Sequence, residues 1–115
     1  MITRNTLFSK AFMTFLMLHP QLVVAGDFTG ADVLEWSLES QSSFYQTSIS
    51  MAGIVAARTG NHDEIVTCIN GWYSSSHQLE RNSYIRNKLR DFSTYHPQGV
   101  ILAVLEEACG DFDRS

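Results

Sequence analysis

Phe44-Tyr-Gln-Thr-Ser-Ile-Ser-Met-Ala-Gly-Ile-Val-Ala-Ala-Arg58 is the stretch that decides the fold class. Tyr45, Ile49, Ala52 and Ala56 recur at intervals of three or four residues, which places them on one stripe of an α-helix. Gly53 interrupts that helix among alanines. An interior glycine costs about 1 kcal/mol against alanine, so the close approach of another helix is the expected compensation. Thr59-Gly60-Asn61 ends the element, with Gly60 suited to the C-terminal cap.

Helical signals continue on both sides, and strand signals are poor. Upstream, Thr29-Gly-Ala-Asp32 has the form of a capping box. It predicts a first helix with Val33, Leu34, Trp36 and Leu38 inward and Glu35 and Glu39 on the wet side, fading in Ser40–Ser43. Trp36 is assigned to the core. Downstream, Ile65, Cys68, Ile69 and Trp72 would fit a short helix face, but Gly71 and Ser74-Ser-Ser76 favour a loop over 62–75, pinned by Cys68. Ser75-Ser-His-Gln78 has a second capping-box pattern and predicts a helix over 76–95. Its apolar positions are Ile85, Leu89 and Phe92, with Arg81, Arg86, Lys88 and Arg90 facing water. Pro97 suits the first turn of a last helix, whose buried face is Ile101, Val104, Leu105, Ala108 and Phe112, ended by Gly110. The expected fold is all-α, a compact bundle of about four helices.

Residues 1–25 have a different character. Arg4 and Lys10 precede an apolar run, Ala11–Leu18, then His19-Pro20, then Val23-Val-Ala25, with no acidic residue before Asp27. That order of parts predicts a secretory signal peptide cleaved after Ala25, leaving a helical domain at 26–115. The apolar run is shorter than the roughly 20 residues a membrane span needs, so no stable membrane insertion is expected. Removing 25 of 115 residues leaves 90, with 6 basic and 12 acidic side chains and a net charge of −6. A domain this small hides only about 60–65% of its unfolded surface, so a covalent brace helps. Export would supply the oxidising compartment in which Cys68 and Cys109 pair; the alternative is two buried free thiols.

The full chain's charge of −4 argues against a nucleic-acid binder that neutralises phosphates, and 44% hydrophobic content argues against disorder. Two cysteines cannot alone form a four-ligand zinc site. His62, His77 and His96 show no H-x-x-x-H spacing, and His62-Asp63-Glu64 reads as a solvated turn, so no metal or cofactor is expected. Ser74-Ser-Ser-His77 sets hydroxyls beside an imidazole, but no G-x-S-x-G elbow accompanies it and capping explains the serines. No catalytic residue is assigned. An exported helical domain without evident chemistry works by binding, with Trp72 as either a core lid or an interface anchor.

The ordered set of features resembles one family. Phe28-Thr-Gly-Ala-Asp-Val-Leu34 is similar to the Phe-x-Gly-x-Asp-Leu-Leu opening of periplasmic immunity proteins of type VI secretion amidase effectors, the Rap/Tai group. Phe44 to Gly53 and on to Ala57 resembles their second helix. Cys68, Gln78-Leu79, Tyr95-His96-Pro97, Leu102-Ala103 and Ala108-Cys109 follow the family's spacing. The chain departs from it at Ser37, where many relatives carry a cysteine, at Asn70-Gly71, where a proline is usual, and in the ending Ala108-Cys109-Gly110. The resemblance implies an all-helical periplasmic inhibitor, often a dimer, that occludes the catalytic cleft of an injected peptidoglycan amidase. Carried onto this chain, it makes the segment Asn61–Ser76 and its neighbour His77 the candidate partner-binding region: Asn61, His62, Asp63, Glu64, Trp72, Tyr73 and His77. The alternative is a periplasmic acid-stress chaperone resembling the HdeA type, against which a single lysine in 26–115 counts. A small secreted hydrolase using His77 or His62 is a third, weaker alternative.

Overall fold

Thr29 donates its backbone N–H to the Asp32 carboxylate at 2.9 Å, and this capping box opens the first helix as the sequence predicts. In the computed structural model, which describes residues 27–60 and 62–112, five helices follow in turn. They are α1 (Gly30–Leu34), α2 (Leu38–Arg58), α3 (Asp63–Trp72), α4 (Gln78–Asp91) and α5 (Pro97–Cys109), with one 3-10 turn at Ser75–His77 leading into α4. No strand occurs among the described residues, and no described helix is long and apolar enough to cross a membrane. The expected signal segment, 1–25, lies outside the described residues.

The architecture is the predicted helical bundle with one disulfide. α2 packs on α3 and α5, α1 lies against α4, and α5 touches all four other helices. Each helix sends its periodic apolar residues to one core: Val33 from α1, Tyr45, Ile49 and Ala56 from α2, Ile65 and Ile69 from α3, Ile85 and Leu89 from α4. α5 contributes Val100, Ile101, Val104 and Leu105. Cys68 and Cys109 are bonded, with Cα atoms 5.7 Å apart, tying the middle of α3 to the end of α5. Pro97 occupies the first turn of α5 behind His96, whose Nδ1 accepts the Gln98 N–H at 3.1 Å. Gly110 ends that helix with φ of 105°, a conformation glycine adopts without strain.

Several boundaries differ from the sequence expectation, each for a local reason. α1 stops at Leu34, and α2 starts six residues earlier than expected because the Ser37 hydroxyl caps it, accepting the Ser40 N–H at 3.1 Å. The polar run Ser40–Ser43 is therefore helical. Trp36 falls in the break between helices, stays 38% exposed, and packs at the surface against Phe28 and Phe44 instead of entering the core. The expected loop over 62–75 is mostly the helix α3. Burial of Ile65 and Ile69 outweighs Gly71, which sits in the last turn where a helix tolerates it best. The Ser75–Gln78 capping box does not form, since Ser74 starts the 3-10 turn. α4 stops at Asp91, leaving Phe92 45% exposed, while Ala108 is exposed and Phe112 lies past the end of α5, half-buried.

Gly53 also departs from expectation. A Cβ built there meets nothing within 4 Å among the described residues, so no described helix approaches it. The close approach occurs at Gly30 instead, where a Cβ would lie 3.2 Å from both the Leu89 Cδ2 and the Leu89 carbonyl oxygen. α1 is held there by its own N-terminus: Gly30 N–H donates to the Tyr95 carbonyl at 2.9 Å and Ala31 N–H to the Ser93 carbonyl at 3.0 Å.

Two buried polar clusters join the helices. Gln41 donates from Nε2 to the carbonyls of Leu34 and Trp36, and its Oε1 accepts from the Tyr45 hydroxyl and the Arg86 Nε. Tyr73 donates to Asn82 Oδ1 at 2.6 Å, and Asn82 Nδ2 donates to the Ser42 hydroxyl. Burial pushes both tyrosine hydroxyls above their usual pKa; Arg86 and Arg90 partly counter this at Tyr45, and the hydrogen bond with Asn82 does so at Tyr73. Among the described residues, no buried side-chain polar atom is left without a partner.

Candidate protein-binding surface

α3 distributes the sequence-predicted site residues over its two ends. Asn61 lies outside the described residues. His62 precedes the helix and is buried, its carbonyl accepting the Val66 N–H at 3.0 Å. Asp63 and Glu64 are exposed in the first turn, where the helix dipole favours acids. Trp72 and Tyr73 are at the other end, with His77 exposed on the 3-10 turn beyond. Ten helical residues separate the two groups by about 15 Å. Tyr73 is buried against Asn82 and has no surface to offer.

The His77 Nδ1 lies 2.9 Å from the Ser74 hydroxyl and 3.3 Å from that of Ser76. These bonds close a three-residue turn. Among the described residues no third side chain orients the imidazole, and no group of three or more histidine, cysteine or carboxylate side chains converges as a metal site would require.

Trp72 sits in a more developed arrangement. The Arg81 Nε donates to the Trp72 carbonyl at 2.9 Å, which holds the guanidinium 4.8 Å from the indole centroid. Tyr84 meets the indole edge-on at 6.5 Å, and its hydroxyl donates to the Glu107 carboxylate at 2.8 Å. The Lys88 ammonium lies 5.4 Å from the Tyr84 ring centroid. Cation, indole, phenol and cation thus form a ladder across the end of α3 and the outer face of α4. Trp72, Arg81, Tyr84 and Glu107 surround a shallow pocket of about 260 Å³. Glu107 and Val104 continue into a second groove of about 430 Å³, bordered by Lys88, Phe92 and Tyr95. Tyr84, Phe92 and Tyr95 are 39%, 45% and 62% exposed.

Tryptophan, tyrosine and arginine are the residue types on which protein interfaces concentrate their binding energy. Here two aromatic side chains and two cations are fixed by one another on one helical face, so little rotamer freedom remains to be lost on binding. The sequence leaves Trp72 as either a core lid or an interface anchor, and in the structure it is half-buried, with part of its side chain packed against the core. Arg81, Tyr84 and Lys88 stand at i, i+3 and i+7 on one helix face, a spacing that marks them as neighbours, but their junction with Trp72 depends on the turn at 73–77. Comparisons of the chain with protein families, characterised proteins and solved structures return no match.

Proposed function

We propose that this protein is a periplasmic inhibitor of the immunity type, which binds a type VI secretion peptidoglycan amidase effector and occludes it. The observation that carries this reading is the ladder Trp72–Arg81–Tyr84–Lys88, a pre-ordered aromatic and cationic surface with the features of a binding hot spot. The open part of the ladder, Tyr84 with the exposed edge of Trp72, lies against the amidase beside its cleft, and the adjoining turn at Ser74–His77 covers the entrance. Two further features support it. The order of sequence motifs from Phe28 to Cys109 resembles that of such inhibitors, and a disulfide-braced bundle suits the oxidising compartment where the toxin acts. Asp63 and Glu64 at the far end of α3 contribute to the acidic field that steers a basic partner, a contribution to association rate more than to affinity.

The test takes a peptidoglycan amidase from a reading frame next to this protein's own, and the absence of any such frame would itself count against the proposal. The purified chain should bind that enzyme with nanomolar affinity and abolish its peptidoglycan hydrolysis, and Trp72→Ala or Tyr84→Ala should each weaken binding by about tenfold or more. No complex with that amidase, together with no protection of cells expressing it, would defeat the proposal.

A further inference from the structure

The carboxamide side chains fall into two sets. Gln41, Asn82 and Asn87 are hydrogen-bonded within the chain. Gln46, Asn70 and Gln78 have no side-chain hydrogen bond among the described residues, and all three line one groove of about 820 Å³ between α2 and α3. The Thr47 and Ser50 hydroxyls line it too, also without a partner among the described residues. One face thus gathers neutral donors and acceptors that the fold leaves unused.

The groove is also free of charge. The 18 residues Ser40–Ala57 contain no charged side chain, and no lining residue from α3 or α4 carries one. A solvent-facing side of a helix normally carries charged residues, so an uncharged one is suited to contact. Met51, Ile54 and Val66 supply apolar wall, and the first two are 55% and 54% exposed. Gly53 stands in the α2 wall, where a Cβ would meet nothing within 4 Å among the described residues, so a ligand can lie against the helix backbone there. From Gln46 to Ala57 this wall is about 16 Å long, the span of about five residues of extended chain.

We propose that this groove binds an extended, uncharged segment of a partner protein, about five residues long. A carboxamide carries a donor and an acceptor together, the same pair that a peptide unit presents, so Gln46, Asn70 and Gln78 can each meet a partner's main chain. An extended segment has those main-chain groups to offer, because no helix of its own uses them. Its alternate side chains point into the groove, where Met51, Ile54 and Val66 receive small apolar ones. A charged side chain entering there would lose its hydration and find no counter-charge, which selects for neutral segments. A glycan strand fits less well, since the groove offers no open aromatic face for a sugar ring: Tyr73, its one aromatic residue, is buried and bonded to Asn82. Gly53 keeps the wall low where the segment passes, a role that no contact among the described residues provides.

The groove shares no lining residue with the ladder, so its occupant does not depend on the inhibitor reading. Selection of a random heptapeptide phage library on the full chain should enrich uncharged, partly apolar sequences. The corresponding synthetic peptides should bind with a dissociation constant of about 1–100 µM in fluorescence anisotropy. Methylating the peptide nitrogens one at a time should weaken binding about tenfold where they face the carboxamides, and exposed Asn70→Leu should weaken it by a similar factor. Gly53→Leu should weaken it by about tenfold or more while leaving the thermal midpoint equal or higher, a pairing that misfolding cannot produce. Tyr84→Ala, on the ladder, should leave peptide binding unchanged. The proposal is overturned if no sequence is enriched, if the enriched peptides are charged, or if binding ignores both N-methylation and Gly53→Leu. Binding of an N-acetylglucosamine hexamer in place of peptides, lost in Gly53→Leu, overturns it in favour of a glycan. Self-association in sedimentation velocity that Gly53→Leu abolishes, with no peptide bound, overturns it in favour of a second copy.

Discussion

Gly30→Ala tests the packing of α1 most directly. The added methyl would stand 3.2 Å from the Leu89 Cδ2 and 3.2 Å from the Leu89 carbonyl oxygen, several tenths of an ångström inside comfortable contact. Relief has to come from α1 moving away or α4 giving way. α1 is tethered by the Gly30 and Ala31 N–H groups to the Tyr95 and Ser93 carbonyls, and Leu89 is fully buried. Overpacking of this kind costs about 1–3 kcal/mol, against a helix-propensity gain for alanine of up to about 1 kcal/mol. The expected net is about 1–2 kcal/mol of destabilisation, equivalent to a lowering of Tm by roughly 4–15 °C in a domain of this size. Urea unfolding followed by circular dichroism, with the slope unchanged, measures it. A midpoint equal to or above that of the parent chain would refute the reasoning, because it would mean that α1 is free to shift.

Other substitutions probe different contacts. Gln41→Ala should cost about 2–4 kcal/mol, because it strands the Arg86 Nε, the Tyr45 hydroxyl and two carbonyls; chemical denaturation reads the loss. Replacing both Cys68 and Cys109 by alanine should remove up to about 4 kcal/mol, the loop-closure value for a 41-residue separation. The same loss should follow from adding a reductant to the parent chain. Tyr45 and Tyr73 ionise less readily when folded, so the unfolded chain releases these protons first as pH rises. The stability linked to them is complete below pH about 10 and falls above it. Tyr45→Phe should flatten that alkaline decline in a pH series of melts.

Much of the bundle is legible in the sequence because period and caps act locally. The Tyr45–Ile49–Ala56 stripe, the Thr29–Asp32 box, Pro97 and Gly110 each work within a turn or two of chain. What escapes depends on contacts distant in sequence. α3 looks like a loop because Gly71 and the serines speak locally, while Ile65 and Ile69 are buried by residues from other helices. Gly53 and Gly30 exchange roles for the same reason, since a glycine's neighbours in space are not written beside it. Trp36 is a large aromatic, but a cap at Ser37 breaks the helix and leaves it at the rim. In the candidate surface, Trp72 announces itself by type, whereas its bond to Arg81 requires the turn between α3 and α4.

The tether of α1 has a consequence for the order in which the chain acquires structure. α1 is five residues long, far below the length at which a helix holds in water unaided. The carbonyls that satisfy its first N–H groups belong to Ser93 and Tyr95, more than sixty residues later. During synthesis from the N-terminus, this segment therefore waits as open chain until the link between α4 and α5 has emerged. α1 is made early and settles late, and a chain arrested before Ser93 keeps the Gly30–Leu34 segment without its partners.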